Sequence, residues 1–128
     1  MTVVIKAIPH NSQRYDTCGD WQLPNPQTLL IDVSGELPFD SQFLVAIHEF
    51  IEAYLCAKKN ITQAEVDAFD KNFKGGGEPG DQPTAPYHEQ HIIATGIEMF
   101  LCAYLGLHWQ DHEKAINSLT YDPPQKSL

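Results

Sequence analysis

The sequence predicts an α+β fold: a short N-terminal antiparallel β ribbon packed on a bundle of about four helices. Two β-branched runs of strand length, Val3-Val-Ile-Lys-Ala-Ile8 and Thr28-Leu-Leu-Ile-Asp-Val33, lie within the first 36 residues. The chain after Pro38 carries helix start and stop signals around long apolar stretches. A segment with four Gly and three Pro, residues 75–86, divides those stretches and reads as a loop or lid.

Pro9 bounds the first strand, Pro24 and Pro26 precede the second, and Gly35 follows it. The interval from His10 to Asn25 reads as a long loop. Asp40 or Ser41 is the expected cap of a first helix running to Lys59, with Asn60 ending it. Thr62-Gln-Ala-Glu65 has capping-box spacing and opens a helix to about Phe73. A third helix is expected from Tyr87 to Leu105, stopped by Gly106, and a fourth from Gln110 to Leu119.

At 128 residues the chain suits one domain, residues 1–122, with a tail at 123–128. Apolar residues at 42% and charged residues at 20% exclude a disordered chain. No apolar run reaches a membrane span and the start does not read as a signal peptide, so a soluble, cytoplasmic protein is expected. A net charge of −9 repels phosphate backbones and anionic lipids. Nucleic acid and membrane are therefore not expected partners; a cation and a small-molecule or peptide substrate are. Cys18, Cys56 and Cys102 lack the number and spacing of a disulfide framework or thiolate cage.

The chemistry-bearing string is His48-Glu49-Phe50-Ile51-Glu52. Four residues apart, His48 and Glu52 share one helix face and can clamp one ion, with Glu49 placed as general base for a metal-bound water. This is the logic of H-E-x-x-H metallopeptidases, with a carboxylate in place of the second His. The same wedge, with Ser41, Gln42 and Lys59, also fits the solvent face of an amphipathic helix.

The third helix sharpens the reading. It is apolar nearly all round from Ile92 to Leu107, which predicts a buried helix carrying His91 and Glu98. His88 begins the same stripe. No Lys or Arg lies between Lys74 and Lys114, so a His or a cation is the expected counterweight for Glu98. His48, Glu52, His91 and Glu98 are thus the expected metal residues, Glu98 as fourth ligand or as an orienting group. Such a donor set suits Zn²⁺ best, with Mn²⁺, Fe²⁺ or Ni²⁺ as alternatives. The strings Ile51-Glu-Ala-Tyr-Leu-Cys-Ala57 and Ile97-Glu-Met-Phe-Leu-Cys-Ala103 echo each other and suggest a paired packing that brings Glu52 near Glu98. His10, His108 and His112 read as loop or surface residues, and Trp21 as a core anchor.

Two further readings stay open. One is a non-enzymatic interaction protein whose His/Glu cluster is a structural polar core. The other uses Glu49-x-x-Glu52 and Asp67-x-x-Asp70, which resemble the paired acidic motifs of all-α, Mg²⁺-dependent NTP pyrophosphohydrolases of the MazG type.

At Gly19-Asp20-Trp21, Leu30-Ile-Asp-Val-Ser34, Leu44-Val-Ala-Ile-His-Glu-Phe-Ile-Glu-Ala53, Val66-Asp-Ala-Phe-Asp70 and Glu78-Pro-Gly-Asp81 through His91, the chain resembles a family of small uncharacterised proteins of tailed phages and prophages. The resemblance spans about residues 15 to 113 and implies no activity of its own.

Overall fold

The structure is a computed structural model, and residues 1–124 are described. The expected α+β class and the four helices are present: β1 (Thr2–Ile8), β2 (Gly19–Asn25), β3 (Thr28–Ser34), α1 (Phe39–Lys58), α2 (Gln63–Asn72), α3 (His88–Tyr104) and α4 (Trp109–Asn117). Short 3-10 turns lie at His10–Ser12 and Pro79–Asp81. Of the expected tail, residues 125–128 lie outside the described residues.

The β region differs from a two-stranded antiparallel ribbon. It is a mixed sheet in the order β1-β3-β2, with β1 parallel and β2 antiparallel to the central β3. The interval read as loop holds β2, whose run Gly19-Asp-Trp-Gln-Leu-Pro-Asn25 has few β-branched residues. Pro24 cannot donate to the ladder, and the register breaks between Gln22 and Asn25. Parallel pairing of β1 with β3 follows from this insertion, because the chain crosses back through residues 9–18 and makes its tight reversal between β2 and β3. Leu29, Ile31 and Val33 alternate along β3 and bury one face beneath the helices.

α1 starts earlier than expected, with Pro38 as its cap; no side-chain hydrogen bond caps it, and Ser41 is used elsewhere. Asn60, at φ 56°, ends the helix in the left-handed region that Asn tolerates. α2 opens with the expected reciprocal Thr62–Glu65 capping box. α1 packs on β2 and β3 with one side and along α3 with another. Cys56 and Cys102 are buried in this packing as small apolar side chains, and all three cysteines are unbridged.

α3 is not buried all round. Gln90, His91, Ala94, Glu98 and Cys102 face inward, whereas Ile92, Ile93, Met99, Phe100 and Tyr104 are exposed. Apolar composition alone cannot distinguish a helix sunk in its own core from one that keeps an oily outer face. Among the described residues, no single helix is long and apolar enough to cross a membrane.

Candidate functional site

Four elements converge on one network built around His48, Glu52 and Glu98. α1 places His48 and Glu52 one turn apart, so that His48 Nε2 meets Glu52 Oε2 at 3.1 Å. α3, packed along α1, brings His91 Nδ1 to the same Glu52 oxygen at 3.0 Å. It also sets Glu98 Oε1 against His48 Nδ1 at 2.8 Å. From β2, the Trp21 indole N–H donates to Glu52 Oε1 at 3.0 Å. α4 adds His112, whose Nε2 lies 2.5 Å from Glu98 Oε2 and whose Nδ1 lies 2.8 Å from Ser41 Oγ.

His48, Glu52 and His91 lie close enough to hold a metal ion: each offers one donor atom, and these atoms lie within 4.8 Å of one another. All three are buried, at 6%, 5% and 4% exposure: His91 as the inward stripe of α3 leads one to expect, and His48 and Glu52 on an inward rather than a solvent-facing wedge of α1. Glu98 is equally buried but stands on the far nitrogen of His48, outside that donor group. Its two oxygens face His48 and His112, away from the Glu52 oxygen that the two other imidazole nitrogens share. His88 also stays outside the group and pairs through Nδ1 with the Gly80 carbonyl. The paired packing anticipated from the sequence echo is present, in that Glu52 and Glu98 grip opposite nitrogens of His48.

The Gly/Pro segment closes over His91. Asp81 Oδ1 and Glu78 Oε2 each lie 3.0 Å from His91 Nε2. Close approach requires glycine at position 80, because a Cβ there would sit 2.4 Å from His91 Cγ. At Gly19 the same test places a Cβ 2.9 Å from Glu49 Oε1, so β2 presses directly on the Glu49 side chain.

Charges within the cluster reinforce one another. Burial works against ionisation of Glu52 and Glu98, but the hydrogen bonds from their histidines outweigh it and hold both carboxyls below the usual range. Burial likewise opposes the charged form of His48 and His91; the carboxylates of Glu52 and Glu98 on His48, and of Glu52 and Glu78 on His91, nevertheless raise both, His91 to about 10. Glu49 is different. It is half-buried, has no hydrogen-bond partner among the described residues, and is pushed well up by burial and by the neighbouring Glu52 charge. With Trp21, His48, Glu52, Asp70 and His91 it lines a cavity of about 330 Å³.

The second acidic pair lines the same cavity but is already engaged. Arg14 makes paired hydrogen bonds to Asp67 at 2.9 and 3.1 Å and also grips Asp20. Asp70 accepts from the Tyr15 and Tyr87 hydroxyls. Burial pushes the Asp70 carboxyl up to about 6 despite these bonds. A carboxyl raised above its unfolded value contributes most to stability when protonated, and that contribution fades as pH climbs from about 4 through 6. Asp70→Asn cannot ionise and keeps an acceptor for a tyrosine. It is expected to gain on the order of 1–2 kcal/mol over the parent at about pH 7.5 and little at about pH 4.5. Thermal melts at the two pH values check this; equal gains at both would mean that Asp70 is ionised throughout.

His112 and His10, expected at the surface or in a loop, are both buried. His112 is 3% exposed and completes the Glu98 network rather than sitting on the surface. The signal was there: His112, Ala115, Ile116 and Leu119 form an inward stripe at helical spacing. His10 is 2% exposed and bonds Ser34 Oγ at 2.7 Å and Asp16 Oδ1 at 3.0 Å. This Ser–His–Asp constellation is not a nucleophile site, because Ser34 has 0% exposure. Trp21 is the core anchor expected, and it is also a hydrogen-bond donor to Glu52.

No protein-family model, no curated protein and no solved structure matches this chain. The phage-type resemblance therefore rests on the sequence strings alone.

Proposed function

We propose that the chain is a small metal-dependent hydrolase, zincin-like in mechanism, in which His48, Glu52 and His91 hold a divalent ion, Zn²⁺ before others. One observation carries the reading. Each of the two imidazoles turns one nitrogen toward a single Glu52 oxygen while a carboxylate holds the other: Glu98 on His48, Asp81 and Glu78 on His91. Carboxylates on the outer nitrogens of metal-ligating histidines fix the tautomer and raise ligand basicity. A bound ion supplies Lewis-acid polarisation of a carbonyl and activation of water.

The chain's own residues take the remaining roles. Glu49 faces the same cavity without a partner and accepts, then returns, the proton moved in hydrolysis. Trp21 and Glu98 hold Glu52 and His48 in place. The substrate class that fits a cavity of about 330 Å³ with an acidic lining is a peptide or amide bond in a short, uncharged or basic segment.

The test uses untagged protein. It is expected to retain about one equivalent of metal per chain and to cleave members of a pool of internally quenched peptides. Glu49→Gln should keep the metal and lose on the order of a hundredfold or more in turnover. Metal-free purified protein that takes up none of the offered ions, or a Glu49→Gln variant as active as the parent, overturns the reading.

A second reading is favoured by a specific observation. Every ring nitrogen of His48, His91 and His112 already has a carboxylate or hydroxyl partner, as a self-satisfied polar core requires. In that case the protein is a non-enzymatic interaction module, and added metal leaves its melting temperature unchanged.

A further inference from the structure

We propose that the chain forms a two-fold symmetric dimer through the outer face of α3. At about 100° per residue, Ile92, Ile93, Ile97, Met99, Phe100 and Tyr104 fall on one continuous arc roughly 160° wide, opposite His91 and Glu98. Their exposures run from 38% to 81%, and together they present on the order of 600 Å² of side-chain surface. That is the upper end of the largest apolar patch on typical monomers, about 300–600 Å². Gly96 and Ala103 lie on the same arc and extend it toward the roughly 800 Å² that each partner buries in a stable interface.

Two further observations select a second copy as the occupant. The first is Gly96, near the centre of the arc. A glycine inside a helix weakens it, and a Cβ here would meet nothing within 4 Å in the chain's own fold. Intramolecular packing gives no reason for a glycine there, whereas a helix crossing closely at that point does. The second is charge. Between Gln90 and Gln110 the only acidic side chain is the buried Glu98, and there is no Lys or Arg. Glu89, exposed at the N-terminal end of the same arc, is its one charged neighbour. An antiparallel two-fold crossing at Gly96 sets it against the Ala103 end of the partner helix, so two copies of a chain carrying −9 meet without like charges opposed. A lipid surface fits less well, because interfacial helices carry a Lys/Arg-rich rim that this helix lacks. The dimer would leave the cavity clear, since its residues project from the other side of α3.

Sedimentation of the full chain across about 1–100 µM tests this, as interfaces of this size bind at micromolar strength or better. The parent is expected to run at twice 14.4 kDa. Gly96→Glu and Phe100→Glu should each raise the dimer dissociation constant about a hundredfold or more. Tyr104→Glu, at the most exposed position of the arc, is a third variant should either of these fail to fold by circular dichroism. A parent that is monomeric across the range overturns the proposal. So does a dimer indifferent to the folded variants, or a monomer that binds phosphatidylcholine vesicles through this face.

Discussion

Zn²⁺ added to metal-free protein at a hundredfold excess over its dissociation constant is expected to raise the melting temperature by about 10 °C. The figure follows from the roughly 2.7 kcal/mol that a ligand at this excess gives the folded state, spread over the unfolding entropy of a chain of this length. Glu52→Gln should abolish the response. Its amide can still accept from the Trp21 indole, but it no longer offers an anionic oxygen between His48 and His91. Circular dichroism distinguishes a folded, unresponsive variant from an unfolded one. The response also has a sign in pH. His48 and His91 are held above the usual imidazole range by their carboxylates, so their contribution to the metal-free protein is full below about pH 6.5 and is lost as pH rises, for His91 toward about 10. A metal must displace those protons, so at one fixed Zn²⁺ concentration the induced shift should be larger at about pH 8 than at about pH 6. A parent that does not respond at either pH overturns the metal reading. A Glu52→Gln variant that responds as the parent does removes Glu52 from the donor set.

Helices were readable from the chain wherever local chemistry decides them. The Thr62–Glu65 capping box, Asn60 at the end of α1 and Gly106 after α3 act through their nearest neighbours, and they stand where expected. β2 was not readable, because Gly19, Asp20 and Pro24 carry weak strand propensity and the strand exists through pairing with β3. The site was half legible. An i,i+4 spacing on one helix fixes His48 against Glu52, and the absence of nearby Lys or Arg marks Glu98 as needing a partner. That the partners would be His48 and His112 together depends on where α4 docks, which no local pattern sets. The all-round burial expected of α3 fails for a related reason: hydrophobicity reports what a face prefers to touch, not whether the chain itself provides the contact.

Glu98→Ala is expected to be the most damaging single substitution in the cluster. Glu98 is 6% exposed and bridges His48 Nδ1 at 2.8 Å to His112 Nε2 at 2.5 Å, so its removal leaves one nitrogen of each of two buried imidazoles unpaired. Breaking a buried charged pair from one side costs about 3–5 kcal/mol, because the group left behind keeps its desolvation penalty. Glu98→Gln retains one acceptor oxygen but sets an amide N–H₂ against the other ring, and should cost roughly half as much. The two variants separate stability from ligand orientation. Glu98→Gln, measured well below its melting temperature, should still weaken Zn²⁺ binding about 10–100-fold, because His48 loses the carboxylate that fixes its tautomer. The same substitution should flatten the acid limb of stability. Opposing burial, the His112 and His48 hydrogen bonds hold the Glu98 carboxyl below its usual range. Its contribution is therefore present above about pH 4.5 and disappears as pH falls through the folded value. Chemical denaturation of both variants between about pH 3 and 7, with Zn²⁺ titrations on the folded protein, measures each effect separately. A Glu98→Gln variant with parental metal affinity and a parental acid limb would reduce Glu98 to a packing residue and leave His48 oriented by α1 alone.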